Sequence, residues 1–460
     1  MKKMLFIITI LLLPIVVFAE TPSDKPTGDF RQASSKNVNY IGVTTISSDT
    51  TEDGKEYAST NSGENSLLVN GGTSLIKNFT LNKSGDESGD NSDFYGTNAG
   101  ILVYNNATLN ISKGKIQTTG SHANAVFAYA NGSINISDTE ITTDSNNSGG
   151  IMVTGGGKLS AANLTVLTKG NSSAAIRSDR GGGSITVNGG NYTTAGFGSP
   201  VIYSTANIYV EEATLTSSSS EGVVVEGANS VILNKTNLTD TNNVLYGNSE
   251  TFKNIFLYQS MSGDASVGSG TFTAINSTIT TNKGDTFFVT NTTATINLQN
   301  SKIVNNDGDF LRIQAGKWGT SGSNGGDVSL NMMNQQVSGN IIVDDISKLA
   351  LSMVDGSSIK GIINGDNTAN NIDLTISSDS SLDLTGDSYV NSLTNEDLSN
   401  SNINLNGHKL YVNGEEIVVT KRKKSNNNSE SNSNIVLFIV CGCAVVVVEL
   451  IIFIIKRKAK

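Results

Sequence analysis

Arg177, Asp179 and Arg180 place two guanidinium groups and a carboxylate within four residues. On an extended strand Arg177 and Asp179 fall on the same face. Sites that cleave carbohydrate need paired carboxylates, or calcium-binding acids beside an Arg or Lys base, and this triplet is the best local candidate. An exposed salt-bridge cluster explains the same spacing without catalysis, and it is the reading carried forward. Other acid pairs are Asp344 with Asp345, Glu211 with Glu212, and Asp138 with Glu140. Neighbours such as Asp344 and Asp345 point to opposite faces of a strand, which spoils them as a dyad.

Asp307, Asp309 and Asp327 sit in glycine-containing turns where Ca²⁺ could bind. The repeated Gly-Gly-x-Gly-x-Asp nonapeptide of calcium solenoids is absent, so no metal is expected. Cys441-Gly-Cys443 offers two ligands, too few for a metal site. Thr-Thr recurs at Thr118-Thr119, Thr142-Thr143, Thr193-Thr194 and Thr280-Thr281. A flat exposed array of them could order water, bind ice or hydrogen-bond sugars, and ordinary β-propensity explains it as well. Tyr104, Tyr129 and Tyr203 recur at similar places and could form an aromatic strip for stacking on a glycan. Trp318, the single tryptophan, lies in a glycine-rich loop and is a further candidate contact. Lys421, Arg422, Lys423 and Lys424 form a basic cluster suited to anionic lipid heads.

What must position these side chains is a repeat. Gly-Ile-Leu-Val at Gly100–Val103 returns as Ala-Val-Phe-Ala, Gly-Ile-Met-Val and Ala-Ile-Arg, with Ile101, Val126, Ile151, Ile176 and Val201 spaced 25 apart and Val223 following after 22. A fixed period of this size means stacked supersecondary units. Each repeat carries two further short alternating clusters, such as Leu109-Asn-Ile111 followed by Ile116. That is the period-two pattern of strands with one buried face. Helices are excluded by the short runs and by the abundance of Thr, Ser, Asn and Gly. Hairpin sheets are excluded because tight two-residue turns between long strands do not recur. The expectation is an all-β, right-handed parallel β-helix with three short strands per coil of about 25 residues, roughly 10–12 coils rising about 4.8 Å each.

Met1–Ala19 has Lys2 and Lys3 before an apolar run and reads as a signal peptide. Residues 20–66 are expected to hold an N-terminal segment and cap, and 67–419 the β-helix. Residues 420–434 form a basic and polar stalk. Ile435–Ile455 is long enough, at about 32 Å as a helix, to cross a bilayer, and 456–460 is a basic cytoplasmic tail. Glu449 within that run is costly in lipid. The net charge of the chain is −10; setting aside the six basic residues and one acid of the leader and the terminal run leaves −15 on residues 20–434. So acidic an exterior argues against nucleic acid. Both cysteines lie in the terminal apolar run, leaving no disulfide for the exported part.

Three glycine-rich strings, Asn91–Val103 (NSDFYGTNAGILV), Ser178–Thr205 (SDRGGGSITVNGGNYTTAGFGSPVIYST) and Gly316–Gly326 (GKWGTSGSNGG), resemble a group of bacterial secreted β-helix proteins described as adhesin-like. The architecture resembles the pectate-lyase-like superfamily over roughly residues 60–415. The resemblance implies an extracellular, surface-displayed rod and supplies no catalytic residues. The paired Asp-Asp and Gly-His-Gly strings of pectin-cleaving enzymes do not both appear, and His122 and His408 stand apart in polar turns.

These features predict a single-pass cell-membrane protein whose β-helix lies outside the cell. It is expected to bind or display glycans or host or environmental proteins, without catalysis or cofactor, through many weak contacts along one lateral face. The alternatives are a polysaccharide lyase or glycoside hydrolase, or a structural or ice-binding surface protein.

Overall fold

The computed structural model describes residues 38–245 and 251–420. The leader, the basic cluster Lys421–Lys424, the apolar run with Glu449, Cys441 and Cys443, and the basic tail lie outside the described residues. Among the described residues no helix is long and apolar enough to cross a membrane.

The strands stack in parallel, each on its equivalent one coil later, and form a parallel β-helix. A representative coil runs through the strands Ile101–Val103, Thr108–Ser112 and Lys115–Thr118. The next runs through Val126–Tyr129, Ser133–Ser137 and Glu140–Thr143. Ile101, Val126, Ile151 and Ile176 lie in register on the first face, as the 25-residue period predicts. One expected anchor is displaced. Ile176 pairs with Ile202 rather than Val201, because this coil holds 26 residues. The extra residue is absorbed in the corner where Gly181 and Gly182 take positive φ, a conformation open to glycine without steric cost. The ladder then continues through Val223, Ile255, Phe287, Leu311 and Ile341.

The first face is a 12-stranded sheet that begins at Gly42–Ile46. Parallel stacking thus starts before Leu67, the expected first coil, since Gly42 already pairs with Asn65 and Ile46 with Val69. The early strand gives only a weak sequence signal because threonines occupy much of its length, and Thr favours strands while leaving little apolar signal. The second and third faces belong to a 22-stranded sheet creased at one corner. At that crease one residue per coil adopts φ near 50°, including Lys113, Asp138, Asn163, Glu212, Lys235, Asn276, Asn300 and Asn334. Asn and Asp tolerate this geometry. Lys113, Glu212 and Lys235 accept it because each backbone N–H still donates to the next coil, to Ser137, Asn234 and Ile275.

The interior is filled by stacked Ile, Val, Leu and Phe, each contributing about 1.5–3 kcal/mol before entropy. One interior column is polar: Lys83, Thr118, Thr143, Thr168, Thr194, Ser217, Asp240 and Thr281 stand one above another, all fully buried. The hydroxyls of Thr143, Thr168 and Ser217 donate to carbonyls of the adjoining corner at Ser148, Ser173 and Ser220. Lys83 donates to the carbonyls of Asn61 and Gly85, and burial lowers its pKa to about 8. At the far end Leu410–Val412 and Glu415–Glu416 form the one antiparallel pair among the described residues.

Candidate functional site

The outward side of the first face carries a column one residue after each anchor: Leu68, Leu102, Phe127, Met152, Arg177, Tyr203, Val224, Phe256, Phe288 and Arg312. Up to Met152 the column is apolar and roofed. The short helix Asp90–Tyr95 lies over it, and Tyr95, Ala99 and Tyr129 join Leu68, Leu102, Phe127 and Met152 in a second apolar cluster outside the coil interior. From Arg177 to Phe288 the column is the floor of a groove.

Two adjoining cavities, of about 390 and about 260 Å³, share Ser172, Gly198, Pro200 and Tyr203 and form one trough. The larger is floored by Tyr203, Val224, Phe256 and Phe288 and walled by Tyr258 and Trp318. Phe256 and Tyr258 stack with centroids 4.4 Å apart and planes 13° apart; Trp318 lies 5.7 Å from Tyr258, and Phe288 5.7 Å from Phe256. Lys253 Nζ sits 4.7 Å above the Phe256 ring and 3.2 Å from Glu221. Aromatic planes beside an ion pair can hold a ring-shaped polar ligand by its apolar face and its edges together.

The smaller cavity is lined by Phe94, Arg177, Asp179 and Asp264. Arg177 Nη2 donates to Asp179 at 2.9 Å, and Asp179 also accepts the Arg180 backbone N–H. Arg180 bonds Asp264 at 2.7 Å and Asp90 at 3.2 Å, while its guanidinium lies 3.8 Å over the Phe94 ring. It thereby ties the roofing helix to the segment after Tyr258. Next to this cluster Glu226 is fully buried and accepts bonds from the hydroxyls of Tyr203 at 2.6 Å, Tyr258 at 3.0 Å and Ser260. Burial raises the pKa of Glu226, although the three hydroxyl bonds pull the other way. Burial also raises Asp179, opposed by Arg177 and reinforced by the like charge of Asp264. For Arg177, burial works against the charge and Asp179 and Asp93 outweigh it, so its pKa rises.

Of the residues expected from sequence, Arg177, Asp179, Arg180, Tyr203 and Trp318 line or adjoin the trough. The cluster of Arg177 and Asp179 is not the exposed salt bridge expected: the side chains are only 14% and 5% exposed, because the helix insertion and the Asp264 segment cover them. Tyr104 and Tyr129 do not form a strip with Tyr203. They belong to the roofed stretch, packed on Tyr40 with centroids 4.5 and 6.4 Å away, whereas Tyr203 follows the displaced anchor Ile202 and enters the Arg177 column. The doubled threonines also divide. Thr118, Thr143, Thr194 and Thr281 face inward, while Thr193, Thr216, Thr239 and Thr280 form an outward column on the third face.

Most of the remaining acids are committed elsewhere. Glu140 pairs with Lys115 and Glu212 with Lys235, Asp309 with Arg312 and Asp327 with Lys348, and Asp344 accepts the Ala315 N–H. His122 bonds Asp93 of the insertion helix at 2.6 Å. Among the described residues no group of three or more His, Cys, Asp or Glu is arranged to hold a metal ion. Sequence reasoning missed Glu221, Glu226, Lys253, Phe256, Tyr258 and Asp264. The signal for the aromatics was present: Phe256 and Phe288 follow Ile255 and Phe287 as Arg177 follows Ile176. The acids and Lys253 carry no such pattern.

The fold and trough define a parallel β-solenoid with a lateral groove. Comparison with protein-family models, with curated proteins and with solved structures finds no match.

Proposed function

We propose that this β-helix is a binding rod that takes a glycan in its lateral groove, without cleaving it, and that it is displayed outside a cell. The observation that carries the binding reading is the aromatic cluster of Phe256, Tyr258, Phe288 and Trp318 lining an open trough of about 390 Å³, a volume within the usual range of ligand sites. Sugar rings offer apolar faces to such planes and hydroxyl edges to adjoining charged groups. The leader-like Met1–Ala19, the apolar run Ile435–Ile455 and its basic flanks support a single-pass anchor with the rod outside. Lys421–Lys424 then lies where it can meet lipid headgroups. The right-handed sense is that of nearly all parallel crossover connections.

Lysis or hydrolysis of the same polymer is the second reading, favoured by the raised carboxyls of Asp179 and Glu226 beside the trough. Binding ranks above it because Asp179 is held by Arg177 and Glu226 by three hydroxyls.

Trp318 is the single tryptophan, so its fluorescence reports on the groove directly. A titration of the soluble rod with an oligosaccharide panel, run beside a reducing-sugar release assay, should change the emission and release no sugar. Sugar release would move the cleavage reading to first place.

A further inference from the structure

The charges along the trough point to the class of glycan. The residues that line it include three cations, Arg177, Lys253 and Lys317, and three acids, Asp179, Glu221 and Asp264. They are largely matched within the protein: Arg177 with Asp179, Lys253 with Glu221, and Asp264 with Arg180. An anionic sugar would therefore meet the Arg177 guanidinium and the Lys253 ammonium already neutralised. At the narrower end it would also approach Asp179 and Asp264 together, with Glu226 behind them. There the like charge of Asp264 acts on Asp179 against the larger pull of Arg177, so the guanidinium at this end already answers two carboxylates. A cationic sugar fares no better, because Lys253 already lies over the Phe256 and Phe288 rings where an ammonium would stack.

From this balance, and resting on the glycan reading above, we infer that the groove binds a neutral oligosaccharide, its ring faces against the Trp318 indole and its hydroxyl edges toward the paired charges at Arg177 and Asp179. Ion-paired groups still hydrogen-bond hydroxyls well: a carboxylate oxygen accepts from one hydroxyl while a guanidinium N–H donates to its neighbour. Arg177 Nη1 supports this, being buried and without a hydrogen-bond partner among the described residues. A hydroxyl oxygen satisfies such a donor without bringing a second anion beside Asp179 and Asp264.

The test titrates the rod by Trp318 fluorescence with neutral β-glucan and galactan oligosaccharides, and separately with oligogalacturonate and sulfated oligosaccharides, at low and high salt. Neutral probes should bind with a dissociation constant that changes less than about twofold over a tenfold rise in salt, since no net charge is exchanged. Glu221→Gln removes one negative charge from the trough while keeping the side-chain shape. It should create salt-sensitive binding of the acidic probes that the parent protein lacks. Preferential, salt-steep binding of acidic probes by the parent protein would overturn the neutral assignment and leave the glycan groove standing. Absence of any response to either probe set would remove the groove reading itself.

Discussion

The outward column of the first face is one continuous register with two fates. From Leu68 to Met152 it is apolar and sealed by the helix Asp90–Tyr95, so that Leu102, Phe127 and Met152 are wholly buried. From Arg177 to Phe288 the same strand position carries a guanidinium, a valine and three aromatic rings along an open trough. Backbone geometry does not distinguish the two stretches. The difference lies in what the inserted segments between coils do: one folds down as a roof, while those around Asp264 and Trp318 stand beside the column as walls. A solenoid turns a periodic surface into a site by varying its insertions, in keeping with the general placement of function on loops held by a rigid scaffold.

The sharpest way to break this contrast is to truncate equivalent side chains in each stretch. Phe127→Ala should cost about 3–5 kcal/mol in chemical denaturation, because a fully buried ring leaves a cavity beneath the roof. Phe256→Ala, in the half-open stretch, should cost about 1–2 kcal/mol. Equal losses would mean that the trough is ordinary core and that the two stretches do not differ in kind.

The interior beneath the two stretches differs as well. Under the roofed coils the polar column runs from Lys83 through Thr118, Thr143 and Thr168; under the trough it reaches Asp240. Burial raises Asp240 from 3.8 to about 7, and Asp240 Oδ2 has no partner among the described residues. A folded pKa above the unfolded one means that the native state holds the proton more tightly. The Asp240 contribution is therefore complete below pH 3.8 and is lost as pH rises toward 7. The full loss is on the order of 4 kcal/mol. Lys83 works in the other direction at higher pH. Its folded pKa, lowered to about 8, makes stability recover between 8 and 10.5 as the unfolded chain gives up its proton. Denaturation midpoints should thus fall from pH 4 to 7 and rise again above 8. Asp240→Asn should make the first limb shallower, the rest coming from Asp179, Glu226 and Asp285, whose carboxyls burial also raises, and should leave the second; an unchanged first limb would show that Asp240 is solvated.

Much of this architecture was legible in the chain because stacking repeats its demands. A side chain above Ile101 must be apolar and compact, so Val126, Ile151 and Ile176 announce the ladder and its period. The site was only half legible. Arg177, Asp179, Tyr203 and Trp318 stood out by type, but their burial and grouping depend on the insertion helix and the Asp264 segment, which have no period. The single added residue at Gly181–Gly182 shifted Tyr203 by one place relative to its neighbours. That shift took it out of line with Tyr104 and Tyr129 and into the trough. The start of the stack at Gly42 was obscured by threonines in the first strand.

The mildest perturbation makes the finest distinction between the two stretches. Tyr129 and Trp318 are both aromatic, and each touches a neighbouring tyrosine: Tyr129 meets Tyr95 edge-on at 5.6 Å, and Trp318 lies 5.7 Å from Tyr258. Tyr129 sits in the roofed cluster, where its ring helps to hold the helix down. Trp318 is half-buried in a glycine-rich loop on the rim of the trough. If the roof and the rim serve stability and binding respectively, Tyr129→Ala should lower the denaturation midpoint and leave glycan affinity unchanged. Trp318→Ala should shift stability by less than about 1 kcal/mol while weakening affinity about 30-fold or more, the loss usual for a central aromatic contact. Because Trp318→Ala also removes the only indole, its affinity must be read by calorimetry. Trp318→Phe, which keeps a flat ring, should restore part of the binding. Restoration by Leu as effective as by Phe would show that the rim supplies bulk rather than a stacking plane.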